Sequence, residues 1–432
     1  MSRPAIRIRS GRVAVALVVL AAAAVDAGDW PHWRGPGGLG VSDEVGVPVS
    51  WDPTDPGSWR VPMVGIATST PVVVGDRLFV TSQIGEAPLQ EEPGDPAIGG
   101  DERLVFVVQG LSVADGRELW RWDLQSEGPL QPVHIKHNLA TPSPASDGES
   151  LFVWFGTGQV ASLSLAGEPR WQRHLGRELG EFEILWAHGS SPVVHGDLVL
   201  LLCDHDDRSY LLALDKATGE TRWRADRGAG KRSYATPLVV PAGQREVVVV
   251  NSNDRIDVYD LADGRDLWHV GGPVRVPVAS PVWAGDTLYA SRGYRSGPYF
   301  AVRLGGSGDV TASHLRWRVP TGAPYVSSLL HHDGLIYMAT ENGVVSAVDA
   351  ADGSTVWRRR LGGNFSASPV VADGKVYLLN ESGELFVIRT GRSYELVARS
   401  DFEERTLASP AVAAGRVFIR SDRHLYALGG AS

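Results

Sequence analysis

The sequence predicts an all-β chain closed into an eight-bladed propeller of four-stranded antiparallel blades. Three observations predict it. A hydroxyl residue followed by proline opens an apolar run at Thr70, Ser143, Ser191, Thr236, Ser280, Ser368 and Ser409, with Ser328-Leu329 as a degenerate copy. A glycine turn followed by tryptophan recurs in "DGRELW", "AGEPRW", "TGETRW", "DGRDLW" and "DGSTVW". Between these landmarks lie short period-two runs, and the whole pattern repeats every ~40–50 residues, the spacing of propeller blades.

Each blade reads in the same order. "PVVVGDRLFVTS", "PVVHGDLVLLL", "PVWAGDTLYAS" and "PVVADGKVYLL" are strand, tight glycine turn, strand. "LLALD", "IDVYD", "VSAVD" and "LYALG" supply the third strand, and the tryptophan run supplies the fourth. The last unit, 408–429, has three strands and stops. "GSWRVP" around Trp59 precedes the first proline landmark and has the Trp–Arg character of a fourth strand, so it is expected to complete blade eight and remove the open sheet edge. Blade seven has Val397 where tryptophan is expected and reads as a weakened blade. A tryptophan at one fixed place per blade reads as packing between neighbours, because repetition is what stacking demands and a single site does not.

Composition agrees. The chain has 432 residues with 50 Gly, 14 Trp, three Met and one Cys, which favours strands and tight turns over helices and permits no internal disulfide. Cys203 sits in "LVLLLCD" and reads as a buried strand residue. The formal charge of −9 has no basic patch, which argues against a nucleic-acid partner. Arg3, Arg7, Arg9 and Arg12 precede an apolar run from Val13 to Ala24, and Val25 and Ala27 supply small residues. That order predicts a signal peptide over 1–27, cleaved after Ala27, on a run too short to span a bilayer. No Cys follows it for lipid attachment. The expected organisation is the signal peptide, an N-terminal extension over 28–58 and the propeller over 59–432. The expected product is a periplasmic or secreted monomer.

Function is expected on the face carrying the long loops. Strands one and two, and three and four, are joined by minimal turns, with one long exception in blade five, "RLGGSGDVTASHLRW". The opposite face carries "QIGEAPLQEEPGDPAIGGDER", "QSEGPLQPVHIKHN", "GRELGEFEILWAHGS" and "CDHDDRS". His137 and Asn138 lie just before an inner strand on that face, with His188, Tyr234, Tyr325 and Asn364 as counterparts in other blades. Lys136, Arg232, Arg275 and Arg405 add positive charge nearby. Such a rim predicts a site for an anion or an acidic peptide of a partner; the competing reading is a solvated rim. His137 and His188 are expected to share this rim. Asp204, His205 and Asp206 in "DHDD" are a candidate cation site, although the spacing matches no complete metal motif. No "HExxH", "GxSxG", "GxGxxG" or "CxxCH" is present.

"WPHWRGPGGLG", "TSTPVVVGDRLFVTS", "HNLATPSPASDGESLFVWFGTGQV", "YLLALDKATGETRW" and "NFSASPVVADGKVYLLNESGELFVI" together resemble the secreted bacterial PQQ-like β-propeller repeat proteins, over nearly the whole mature chain. The resemblance implies the eight-bladed fold. It is related to two branches with known roles: quinoprotein dehydrogenases, which hold pyrroloquinoline quinone (PQQ) and Ca²⁺ in the funnel, and an outer-membrane assembly lipoprotein that serves as a scaffold. The single cysteine departs from the adjacent cysteines of the first branch, and the missing lipid-attachment cysteine departs from the second. The resulting expectation is a non-catalytic binding or scaffold module that requires no cofactor. A PQQ-dependent oxidoreductase is the alternative.

Overall fold

The computed structural model describes residues 28–294 and 296–429. The predicted signal peptide and its cleavage point lie outside them. Eight antiparallel sheets follow one another around a central channel. Blade one is Val72–Val74, Arg77–Ile84, Val105–Ser112 and Glu118–Gln125, and each later blade repeats its order. Blade four gains a short fifth strand, Gly308–Asp309, from the long loop of blade five, paired in parallel with Asp266–Val270.

The burial of each strand follows from its place. Every blade is sandwiched between two others, so both faces of its second and third strands are covered and they read as unbroken apolar runs. Leu198–Cys203 and Ser209–Asp215 are examples, buried almost throughout. The fourth strand lies on the circumference and alternates, as in Glu118–Gln125.

The hydroxyls of the proline landmarks form a belt around the channel. The backbone N–H of Thr70 donates to Ser143 Oγ, Ser143 to Ser191, Ser191 to Thr236, Thr236 to Ser280, Ser280 to Ser328, Ser328 to Ser368 and Ser368 to Ser409, at 2.8–3.1 Å. Each bond ties one blade to the next, which is why a hydroxyl recurs at this place. At the junction of blades eight and one, Thr70 Oγ1 is buried with no partner among the described residues. There the buried Arg420 of blade eight donates to Ser69 Oγ, Thr81 O and Ser82 Oγ of blade one.

The tryptophans couple the outer edges. Trp120, Trp171, Trp223, Trp317 and Trp357 each donate from Nε1 to a turn carbonyl of the following blade, at 2.9–3.0 Å. Four of these rings lie on the glycine of that turn. A Cβ on Gly167, Gly219, Gly264 or Gly353 would sit 2.5–2.7 Å from the ring. The two sequence landmarks of the turn are therefore partners across blades.

Trp59–Pro62 pairs with His424–Leu428 and completes blade eight, as expected. Trp59 Nε1 donates to Val113 O of blade one and its ring covers Gly116. The reading of blade seven needs a correction. A bulge between Val387 and Ile388 shifts the register, so Ala398, not Val397, pairs at the tryptophan position. Trp51 of the N-terminal extension packs on the same apolar cluster, 5.2 Å from Tyr426 and 6.2 Å from Phe402. At the missing tryptophan position Pro48 of the same extension covers the turn glycine of blade eight, Gly429, and its carbonyl accepts from the Tyr377 hydroxyl at 3.0 Å.

The extension also caps the tight-turn face of the channel. Trp30 exchanges two backbone bonds with Val73 of blade one, and Pro31 O accepts from Ser146 of blade two. The buried Arg34 donates to Leu329 O of blade six. Gly40 and Ser42 pair with Val371 of blade seven, and Glu44 accepts from Gly415 of blade eight.

Candidate functional site

The opposite end of the channel is open as a cavity of about 470 Å³. Its floor is Trp33, which the capping segment pushes into the channel; the same ring borders a smaller cavity on the tight-turn face. The lower wall is the hydroxyl belt, including Ser143, Ser191, Thr236, Ser368 and Ser409. The upper wall is aromatic, with His134 and Trp186 at 5.2 Å, His137 and Tyr234 at 6.4 Å, and Tyr294 and Tyr325 at 5.1 Å, each pair edge to face.

The connection between blades one and two narrows the mouth. Its Val133 pairs with the blade-one loop at Pro88 and Gln90. It then crosses blade eight, where Arg405 donates to Ile135 O at 3.3 Å, and reaches blade seven, where Lys136 Nζ lies 2.8 Å from Glu381 Oε1.

Three carboxylates line the cavity: Glu91, Glu92 and Glu341. None has an ion-pair partner among the described residues. Glu341 Oε1 accepts from the N–H groups of Tyr325 and Val326 at 2.6 and 2.7 Å. Burial raises its pKa above the ordinary value against those two bonds. Burial holds His137 down to about 4 and lowers His134, so both rings are neutral at pH 7. Desolvation pushes the Tyr234 and Tyr325 hydroxyls well up, so they stay protonated. Among the described residues, neither histidine hydrogen-bonds a hydroxyl or carboxylate, and the belt hydroxyls accept backbone N–H groups. One lining hydroxyl does meet a carboxylate: Ser366 Oγ donates to Glu381 Oε1 at 2.5 Å, the oxygen that Lys136 Nζ also holds.

The sequence-predicted residues scatter. His137, Tyr234 and Tyr325 line the cavity together. Asn138 is buried beside it, with Oδ1 accepting from Ala140 N in a local turn. Asn364 is exposed and contributes its carbonyl to Glu381 N. His188 does not share the rim: it is fully buried, with its ring centroid 3.9 Å from that of Trp154. Arg232, Arg275 and Arg405 do not form an open anion site. Arg232 is paired with Asp206, Arg405 with Asp422, and Arg275 lies 5.1 Å from the Tyr294 ring centre.

The "DHDD" residues also diverge. Asp204 is fully buried against Arg227 at 2.7 Å, His205 packs between Phe182 and Tyr210, and Asp206 turns to Arg232. Among the described residues no group of three or more His, Cys, Asp or Glu side chains is placed to hold a metal ion.

Sequence reasoning missed Trp33, Trp186, Tyr294 and Glu341. Trp33 and Trp186 follow none of the repeated glycine turns, and that departure was the available signal. Trp186 and Ala187 also adopt positive φ of 63° and 61°, a strained backbone of the kind that marks functional loops.

Residues 37–202, 176–314, 290–393 and 341–432 match the family model described as outer membrane protein assembly factor BamB. The BamB of Yersinia pestis is 20% identical over 315 residues, 72% of this chain and 66% of that protein. Tetrathionate hydrolase of Acidithiobacillus ferrooxidans is 23% identical over 347 residues, 74% of this chain and 64% of that protein. The chain therefore spans about two thirds of the length of these relatives. Among solved structures, BamB from Moraxella catarrhalis superposes with a TM-score of 0.58 at 14% identity, over 86% of this chain and 98% of that one. The quinohemoprotein alcohol dehydrogenase of Comamonas testosteroni gives 0.63 at 12% identity, over 95% and 82%. At these identities the likeness is one of fold. Family model, repeat order and eight closed blades agree, and the chain belongs to the BamB-like family of PQQ-like β-propeller repeat proteins.

Proposed function

We propose that this protein is a non-catalytic binding or scaffold module that takes a ligand or a segment of a partner protein in the mouth cavity. The observation that carries this reading is a one-ended cavity, floored by Trp33, narrowed by the Lys136–Glu381 strap and lined by hydrogen-bond donors, acceptors and aromatic edges. Pre-formed concave sites of this kind suit recognition. The family membership supports a module of this type. The charged, apolar, small-residue order of the N-terminus supports a periplasmic or secreted location. Among the described residues no helix is long and apolar enough to cross a membrane.

The alternative, a PQQ-dependent oxidoreductase, needs cations for a tricarboxylated quinone and a cluster of oxygen ligands for Ca²⁺. The cavity lining supplies three carboxylates and one ammonium, and Lys136 is already held by Glu381. A lining whose one ammonium is already matched by Glu381 favours the scaffold reading over this one. Purified protein mixed with PQQ and Ca²⁺ is expected to retain no chromophore and to reduce no dye. One-to-one quinone retention with dye turnover would reverse the reading.

A further inference from the structure

We infer that the mouth cavity accepts a cationic group of the lysine or arginine type; this rests on the binding reading above and names its ligand chemistry. Glu91, Glu92 and Glu341 line the cavity without an ion-pair partner among the described residues, and the one lining ammonium, Lys136, is matched by Glu381. Of the neighbouring arginines, two are held by Asp206 and Asp422, and Arg275, stacked on Tyr294, offsets one of the three carboxylates and leaves the balance negative. A cavity with surplus negative charge and partly desolvated walls favours a cation over an anion or a neutral solute.

The walls match that charge. The ring edges and faces of Trp33, Trp186, Tyr234, Tyr294 and Tyr325 surround the space, and aromatic faces attract ammonium and guanidinium groups through their quadrupole. The protein supplies one internal example of each kind of partner, an aromatic face and a carboxylate. Arg275 places its guanidinium carbon 5.1 Å from the ring centre of Tyr294 at the cavity wall. Lys136 places its ammonium 2.8 Å from Glu381 at the mouth. An incoming cation would meet the same two kinds of partner deeper in the cavity. Glu341 is the fixed one, because the Tyr325 and Val326 N–H groups orient its carboxylate.

The test is calorimetric titration of the intact protein with four probes: trilysine amide, its Nε-acetylated form, triglutamate and butylamine. Trilysine amide is expected to bind, and acetylation to weaken it at least about tenfold. Binding of butylamine as well assigns the site to any free amine, whereas binding of trilysine alone assigns it to a peptide. Glu341→Gln should weaken trilysine about tenfold, the scale of one charge-assisted contact. Tyr325→Leu should weaken it while Tyr325→Phe retains it, which separates the ring face from the hydroxyl and from packing. Lys136→Met should strengthen it by removing a competitor for the acidic mouth. Melting transitions of the variants within a few degrees of the parent establish that they are folded. Triglutamate binding as tightly as trilysine, or indifference of trilysine binding to Glu341→Gln, overturns the cation assignment and leaves the binding reading standing. Absence of heat with every probe also overturns the assignment, and the crosslinking comparison at the end of the Discussion then decides the binding reading separately.

Discussion

Lys136 and Glu381, 245 positions apart in sequence, meet at 2.8 Å across the mouth of the channel. The pair joins the connection between blades one and two to blade seven and so passes over blade eight. It is partly exposed, with the lysine side chain 36% and the glutamate 13% accessible. A pair of that exposure contributes at most ~1 kcal/mol. Its role is to hold the strap, not the ring. Lys136→Met should leave urea unfolding within ~1 kcal/mol of the parent while speeding proteolytic cleavage near the exposed Ile135. A loss of several kcal/mol would mean that the strap is part of the ring's core.

Ring closure depends on Trp59 over Gly116. Gly116 has φ of 70°, and a Cβ there would lie 2.7 Å from the Trp59 ring. Gly116→Ala should cost about 1–3 kcal/mol through strain and overpacking, and Trp59→Ala about 3 kcal/mol. Removing residues 28–66 deletes this strand together with Trp30 and Trp51, so the product should aggregate or unfold without cooperativity. A monomer with an unchanged melting transition would refute the closure account.

The two histidines of adjacent blades should separate cleanly. His188 is buried against Trp154 and Phe182, so His188→Ala should cost about 3 kcal/mol as a cavity-forming change. His137 is only partly buried at the cavity wall, and His137→Ala should cost less than ~1 kcal/mol. Chemical unfolding of the single variants checks both. Equal costs would place the two rings in equivalent settings.

Acid should weaken the fold before carboxylates protonate. Burial lowers His188 to about 3 and His205 to about 4, against about 6.5 in an unfolded chain. Between pH 6.5 and about 4 the unfolded chain binds protons that the folded chain refuses, so stability is full above pH 6.5 and falls as pH drops. Each such histidine contributes a slope of about 1.4 kcal/mol per pH unit in that window. His205→Phe should reduce the slope of unfolding free energy between pH 6 and 4.5 by about that amount. An unchanged slope would show that His205 protonates in the folded state.

Much of the ring was readable because its constraints are local and repeated. The belt hydroxyl recurs in all eight blades and a tryptophan on a turn glycine at five junctions, Trp59 among them, so many copies reinforce one reading. The misread features depend on contacts between distant parts of the chain. A bulge at Val387 moved the tryptophan register to Ala398, and Pro48, 329 positions from its partner Tyr377, covers the turn glycine Gly429 there. The basic rim looked like an anion site because Arg232 and Arg405 stand near His137 in the repeat frame. Their acidic partners, Asp206 and Asp422, come from other loops. His188 sits at an offset similar to that of His137, but the neighbouring Trp154 and Phe182 enclose it.

The central claim is that the mouth cavity, and not the capped tight-turn face, is where this protein engages its ligand or partner. Photocrosslinking in the native host tests it most directly, with a photoreactive amino acid replacing either His134 at the cavity wall or Asp197 in a tight turn of blade three. The account predicts a discrete adduct from position 134 that is lost when Glu341→Gln or a bulky Val326→Trp is added, and none from position 197. An adduct from position 197 alone, or one from position 134 that ignores both cavity substitutions, would contradict it.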